Sequence, residues 1–507
     1  MTPNMSRRSA FSGDLMILFA IALVDVFLHV LSSGQYGFHR DELDVVMNAR
    51  QLDWGYVAYP PLAPLVARLG LELFGPSLVG LRLLPALGQG IVVLLTGLMA
   101  RDMGGSRFAQ ALAAVAAAIS PVALTTGLLI QYMSFDYLWW VVVAYCVVRL
   151  LKTDNPRWWI GIGAAIGLGM LTKYTMAFFA IGLAAGVLLS PVRRYLRSPW
   201  LWAGVGLAGL IVLPNLLWQA QHNLIYLRFV SAIHARDLSW GRAADFWPRQ
   251  FYENVNPFAL PLWVAGLYFI FFAAVGRRFR ALGWAYVVAL ALFVATQGRF
   301  YYIAPAYPML VAAGAVWLEG WLSRRSLRWA RVGRSVLIAM LTVGAILATA
   351  LSLPVAPINS PLWDVTADMG DTFREMVGWP ELVEQVAGIY QALPSEKRTR
   401  AGILAGNYGE AGALDLYGPA YGLPRPISGG NSLWARGFGD PPPETVILVG
   451  FERAYAERLF QSCRPAGQVK NRYDVRNEES ERHNTFYVCG EPWQPWPQIW
   501  PDMQWFQ

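Results

Sequence analysis

"GFHRDELDVVMNARQLDWGYVAYPPLAPL", residues 37–65, sets four carboxylates, two arginines and a histidine within 29 residues. The segment just before it, "LMILFAIALVDVFLHVL" at 15–31, is apolar almost throughout. A charged stretch that leaves one greasy run, and turns at Tyr59, Pro60 and Pro61 before the next, reads as a loop at a membrane surface. Proline fixes its own φ and suits the first turn of a helix, so Tyr-Pro-Pro predicts an interfacial helix at about 62–74. Asp41 and Glu42 stand side by side near the head of this loop.

The rest of the chain supports the membrane reading. Of 507 residues, 55% are hydrophobic and only 15% charged, with 22 tryptophans, and the apolar residues fall in long runs rather than amphipathic stripes. Runs of roughly 17–25 residues suffice to cross a hydrocarbon core of about 30 Å as helices. About eleven such runs are predicted, at about 14–33, 77–100, 108–129, 134–152, 157–172, 174–190, 199–218, 257–275, 281–297, 301–321 and 333–353. The first has the basic start of a signal peptide but no clear A-x-A site, and its removal would leave the remaining topology unchanged.

Basic residues mark the cytoplasmic loops of membrane proteins. Arg7 and Arg8, Arg101 and Arg107, Lys152 and Arg157, Arg193, Arg194 and Arg197, Arg277, Arg278 and Arg280, and Arg324, Arg325, Arg328 and Arg331 all fall in alternate connections. They predict a cytoplasmic N-terminus and, with an odd number of crossings, an extracytoplasmic C-terminal segment. The net charge of +8 is largely this topological signal, so no nucleic-acid partner is inferred. No Walker loop or dinucleotide fingerprint is present, which argues against a nucleotide-driven engine.

Three kinds of segment follow: a helical bundle within 1–353, outer loops at about 34–76 and 219–256, and an outer domain from 354 to 507. In the last, "RAGILAGNYGEAGALDLYG" and "ETVILVGFERAYAERLF" each read as a strand, a turn and a helix, which predicts a small α/β domain. Cys463 and Cys489 lie there, as a disulfide or as two free thiols. The expected class is thus a polytopic α-helical membrane protein carrying a small extracytoplasmic α/β domain.

Polar residues gather where the topology puts the outer ends of the helices: Asp41 and Glu42; Gln131, Tyr132 and Asp136; Lys173 and Tyr174; Arg299, Tyr301 and Tyr302. A carboxylate takes the proton of a hydroxyl acceptor, and a cation holds a phosphate whose charge grows as a bond to it breaks. Sugar transfer from a lipid phosphate needs both. Each residue also has a structural reading: the acids suit a helix N-terminus, Lys173 and Arg299 suit snorkelling to the interface, and Asp136 suits a helix cap. Asp25, inside the first span, calls for a partner or a buried site. No cofactor is identified from these residues; a divalent metal near His39, Asp41 and Glu42 is left open, although their spacing matches no ligand signature.

These residues resemble a known family. "FHRDELDVVMNARQLDWGYVAYPPLAPL" resembles the first outer loop of the family 39-like glycosyltransferases of the GT-C fold, the group of bacterial protein mannosyltransferases, aminoarabinose transferases and lipid A galacturonosyltransferases. "GRFYYIAPAYPMLVAAGA" (298–315) resembles the start of one of their later helices, and "GNYGEAGALDLYGPAYGLPRPISGGNSLWARGFG" (406–439) resembles their outer C-terminal region. The resemblance implies an inverting transferase in the inner or plasma membrane. Its partners would be a polyprenyl-phosphate sugar donor, membrane lipids, and a lipid, glycan or protein acceptor. It implies Asp41, with Glu42 beside it, as the base, Asp136 as the second acid, and Lys173, Arg299 and Tyr302 at the lipid phosphate. Tyr59, Pro60 and Pro61 would position the loop, and 219–256, with His222, His234, Arg236 and Arg242, would help to enclose the acceptor.

Two readings from other classes compete. A transporter or flippase predicts ionisable residues along a path through the bundle and often matching halves, whereas here they collect at one face. A non-catalytic envelope assembly subunit predicts that Asp41 and Glu42 tolerate replacement.

Overall fold

The computed structural model describes residues 3–507, with side chains from Gly13 onward; the side chains of Arg7 and Arg8 lie outside the described residues. Among the described residues seven helices are long and apolar enough to cross a membrane: Gly13–Ser32, Leu78–Asp102, Tyr132–Thr153, Pro199–Gln221, Val275–Ala295, Phe300–Ser323 and Leu327–Ser352. Three further candidates are bent pairs, Arg107–Ala118 with Pro121–Leu128 (65°), Met176–Leu188 with Pro191–Arg197 (100°), and Arg242–Asn254 with Pro257–Phe271 (75°). Trp158–Met170 is a shorter apolar helix. Each of the eleven predicted runs falls on one of these elements.

The bends share a local cause. Each second helix begins with a capping residue followed by proline, Ser120-Pro121, Ser190-Pro191 and Asn256-Pro257, a pair that starts a helix and cannot continue the preceding one. Backbone groups freed at a break in an apolar bundle need partners from within the protein. Asn256 supplies them: its Oδ1 accepts from Phe258 N–H (3.0 Å), and its Nδ2 donates to the carbonyls of Ile119 and Gly344 (both 3.0 Å). Helices also approach closely over glycine, as where a Cβ on Gly163 would meet the Gly204 carbonyl oxygen at 2.0 Å.

We label the first seven helices α1 (Pro3–Ser32), α2 (Arg40–Ala49), α3 (Leu62–Phe74), α4 (Leu78–Asp102), α5 (Arg107–Ala118), α6 (Pro121–Leu128) and α7 (Tyr132–Thr153). The loop after α1 is therefore helical in two places, α3 spanning the interfacial segment expected from Tyr-Pro-Pro. Asp25, in α1, has its partner one turn on: its Oδ2 lies 3.8 Å from His29 Nδ1, and His29 Nε2 reaches the Leu124 carbonyl at 3.0 Å. At the far end of α4, some 30 Å from Arg82 by helical rise, Asp102 takes Lys152 at 2.7 Å and Arg149 at 3.1 Å. Asp154 likewise gathers Arg194 and Arg278. Lys152, Arg194 and Arg278, from three of the alternate connections, thus meet acids at one end of the bundle.

After Ser352 the chain builds a four-stranded mixed sheet from β1 (Ala401–Ala405), β2 (Thr445–Val449), β3 (Arg464–Gln468) and β4 (Thr485–Cys489). The order is β1-β2-β4-β3, with β1 and β2 parallel and the other pairs antiparallel. Helices Tyr408–Tyr417 and Arg453–Leu459 follow β1 and β2 in the two expected strand-helix units. Cys463 and Cys489, left open by the sequence, are joined by a disulfide.

This sheet domain rests on the loop that follows α1. A Cβ on Gly412 of helix Tyr408–Tyr417 would lie 2.7 Å from Leu43 Cβ and 2.9 Å from the Leu43 backbone, so that helix and α2 touch. Arg50, at the end of α2, donates to the Asp415 carboxylate (2.9 Å) and carbonyl (2.7 Å).

Candidate active site

α2 begins where it does because His39 and Glu42 cap it reciprocally. His39 Nδ1 accepts the Asp41 N–H (3.1 Å), and Glu42 Oε2 accepts the His39 N–H (2.8 Å). With Nδ1 occupied as an acceptor, the ring proton sits on Nε2, which faces Glu375 of the C-terminal segment at 3.0 Å. Burial alone would raise the Glu375 carboxyl, but the His39 hydrogen bond and Arg40 outweigh it and hold it at about 2.

The two adjacent acids have different surroundings. Glu42 is fully buried. Both its oxygens are taken: Arg82 reaches Oε2 at 2.6 Å and Oε1 at 3.0 Å, and Ile130 N–H donates to Oε1 at 3.0 Å. Arg82 in turn donates to the carbonyls of Ser33 (2.6 Å) and Gly37 (2.9 Å). Glu42 therefore locks the head of α2 to α4 and to the start of α7, and it presents no free oxygen to a substrate. Asp41, with a side chain 33% exposed, receives one side-chain hydrogen bond, from Tyr408 Oη at 2.9 Å.

Further along α2, Asp44 and Asn48 lie three and seven residues after Asp41, on the same helical face. Tyr59 Oη donates to Asp44 and accepts from Asn48 Nδ2 (2.6 Å), while Arg436 of the outer domain donates to Asn48 Oδ1 (2.6 Å). Burial pushes the Asp44 carboxyl up to about 6 against the opposing pull of Tyr59 and Arg436. Tyr59 thus positions α2 from below. Its two prolines turn the chain into α3, for which Pro61 is the N-cap residue, and Leu62 N–H donates to the Leu171 carbonyl (2.9 Å) just before Lys173.

The cations and the remaining acid sit beside this helix. Lys173 Nζ is 3.7 Å from the centroid of the Tyr302 ring, 5.2 Å from that of Tyr132, and 2.7 Å from Met133 Sδ. Asp136 is fully buried, accepts from Trp140 Nε1 (3.1 Å) and Thr175 Oγ1 (2.9 Å), and lies within electrostatic reach of Lys173. Its bonded partners are Trp140 and Thr175, and it caps no helix. Arg299 grips Asp237 with Nε (2.6 Å) and Nη2 (3.1 Å) and donates to Tyr301 Oη at 3.0 Å. Tyr132 is within electrostatic reach of both Asp41 and Arg299, which links the acid face of α2 to the cations.

In the loop at 219–256, Arg236 and Arg242 flank Asp237, whereas His222 stacks on Trp218 (ring centroids 3.9 Å apart) and belongs to the end of helix Pro199–Gln221. Among the described residues no group of three or more His, Cys, Asp or Glu side chains is placed to hold a metal ion.

Arg82, Asp44, Asn48, Asp237, Glu375 and Tyr408 were not singled out from the sequence. An arginine inside an apolar run marked Arg82, and the three-residue spacing from Asp41 marked Asp44. Nothing local marked Glu375 or Tyr408, which reach α2 from more than 300 residues away.

Residues 58–218 match the sequence profile described as dolichyl-phosphate-mannose-protein mannosyltransferase. The lipid A galacturonosyltransferase RgtD of Rhizobium johnstonii is 28% identical over 256 residues, 49% of this chain and 51% of that protein. An undecaprenyl phosphate-alpha-4-amino-4-deoxy-L-arabinose arabinosyl transferase of Pseudomonas fluorescens is 28% identical over 202 residues, 38% of this chain and 32% of that one. The aligned regions thus span about half or less of these curated relatives. Among solved structures, ArnT from Cupriavidus metallidurans bound to undecaprenyl phosphate superposes with a TM-score of 0.58 at 18% identity, covering 94% of this chain and 98% of that one. The Archaeoglobus fulgidus oligosaccharyltransferase gives a TM-score of 0.52 at 14% identity, over 85% of this chain and 68% of that one. The chain has the GT-C fold of these solved structures, and its residues 58–218 are similar in sequence to the mannosyltransferase profile.

Proposed function

We propose that the protein is an inverting glycosyltransferase that moves a sugar from a polyprenyl-phosphate donor to a hydroxyl of an extracytoplasmic lipid, glycan or protein. The observation that carries this reading is a one-third exposed carboxylate, Asp41, within electrostatic reach of Tyr132, which is also within reach of Arg299 and has Lys173 Nζ 5.2 Å from its ring. Asp41 takes the acceptor's proton as its oxygen attacks C1 of the sugar; the bond from C1 to the phosphate oxygen breaks on the opposite face, and the electron pair leaves with the phosphate. Charge then grows on that phosphate, where Arg299 and Lys173 stabilise it and Tyr302 shapes the floor under the lysine. Glu42 and Asp136 are positioning residues, the first for α2 and the second for Lys173. The N-terminus is cytoplasmic and the sheet domain extracytoplasmic, an orientation supported by the basic connections and by a disulfide suited to an oxidising compartment.

The test is a transfer assay in lipid with labelled polyprenyl-phosphate hexoses and pentoses, with and without EDTA. Wild type is expected to consume one donor class, and Asp41→Asn to retain donor binding while transfer falls by about 10²–10⁴-fold. Loss of activity with EDTA would add a divalent ion to the site. Full activity in Asp41→Asn would remove the base assignment.

A further inference from the structure

Asp237 is an acid placed among cations. It is nearly buried, and besides the two-pronged grip of Arg299 it has Arg242 Nη1 at 3.4 Å and Arg236 Nη2 at 3.7 Å. Arg236 and Arg242 both lie over the Trp240 ring, 4.7 and 4.8 Å from its centroid, so that one indole holds both guanidinium groups. The buried Arg236 Nε has no hydrogen-bond partner. Three guanidinium groups therefore share one carboxylate, a surplus of two positive charges, and one N–H is left unspent. Arg236 is also within electrostatic reach of Tyr408, the residue that donates to Asp41.

A guanidinium fork binds a carboxylate and a phosphate in the same way. We propose that Asp237 occupies the seat of the donor's phosphate, that Arg236 and Arg242 join Arg299 as ligands of that phosphate, and that Asp237 and the phosphate exchange places in each turnover. The proposal rests on the polyprenyl-phosphate reading given above.

The charges set what each step of the exchange requires. A polyprenyl-phosphate sugar is a diester with one negative charge, equal to that of Asp237, so its arrival leaves the charge of the cluster unchanged. Transfer breaks the bond to C1 and leaves a monoester of about −1.5 to −2, which three arginines hold more tightly than the donor. Asp237, tethered on the same helix, Ile225–Ser239, competes for those arginines at high local concentration and helps the spent lipid phosphate to leave.

The experiment measures equilibrium binding of a short-chain polyprenyl monophosphate to the full chain in detergent, with the neutral polyprenol as control. Wild type, Asp237→Asn and Arg242→Gln are compared. Asp237→Asn is expected to bind the phosphate about tenfold tighter, equivalent to about 1.4 kcal/mol, and Arg242→Gln to bind it more weakly. A folded Asp237→Asn that binds no tighter than wild type would overturn the exchange and make Asp237 a structural partner of Arg299, with the donor reading intact. Wild-type hydrogen exchange over residues 225–239 provides a second readout that needs no variant: adding the phosphate is expected to speed it as Asp237 is released, and unchanged exchange with phosphate bound refutes the proposal. If no form prefers the phosphate to the neutral alcohol, the donor reading fails together with it.

Discussion

Exchanging Glu42 for glutamine tests the division of labour between the two adjacent acids. The side chain is fully buried, and both oxygens accept from N–H groups: those of His39 and Arg82 on Oε2, those of Ile130 and Arg82 on Oε1. In either rotamer a glutamine turns its NH2 toward donors and leaves Arg82 as an uncompensated buried charge. Breaking one side of a buried ion pair destabilises by roughly 3–5 kcal/mol, and solvent offers no relief here because the Arg82 side chain is itself only 1% exposed. Asp41→Asn keeps an acceptor oxygen for Tyr408 Oη on a side chain that is one-third open, so it costs about 1 kcal/mol or less. Thermal unfolding in detergent, monitored by tryptophan fluorescence, should therefore show a large drop for Glu42→Gln and a small one for Asp41→Asn, while the transfer assay shows the greater specific loss in Asp41→Asn. A Glu42→Gln protein as stable as wild type yet inactive would refute this reasoning and move the base to Glu42.

Three other outcomes follow from the geometry. Asp44 has its carboxyl raised to about 6, so its contribution to stability is full below its unfolded value of 3.8 and is lost progressively as pH rises from there through about 6; the change in melting temperature on Asp44→Asn should be least favourable below pH 4, intermediate at pH 5 and most favourable at pH 7.5. Glu375, held at about 2, contributes fully above its ordinary value of 4.5 and loses that contribution as pH falls toward 2, so proteolysis at the junction of the outer domain and α2 should accelerate over that interval, and less so in Glu375→Gln. Reducing the Cys463–Cys489 bridge, which closes a span of 26 residues, should destabilise the outer domain by about 3–4 kcal/mol on the chain-entropy estimate, read as a lower melting temperature under dithiothreitol.

The spans were legible because each is a run of apolar residues, and the breaks at Ser120-Pro121, Ser190-Pro191 and Asn256-Pro257 carry their own signal of cap and proline. The gathering of Asp41, Tyr132, Lys173 and Arg299 was legible in coarser form, since topology alone puts the ends of alternate helices at one depth. What escaped was whatever depends on pairing. Asp41 and Glu42 are equivalent as letters, and only Arg82, forty residues on, separates the free acid from the buried one. Arg299 reads as an open cation until Asp237 is seen in its grip. The tyrosine on Asp41 and the glutamate on His39 come from a domain whose sequence signals only strands and helices.

That last arrangement bears on how such proteins can be recombined. The helix that offers Asp41 is capped through Glu375, bonded by Tyr408 and Arg436, and tied at its end to Asp415, all supplied by residues after 354. The sheet domain is thus not an interchangeable head on a common membrane engine. A chimera that trades only residues 354–507 for those of a relative inherits a mismatched seam at the carboxylate itself; one that carries residues 37–65 along with them keeps the seam whole.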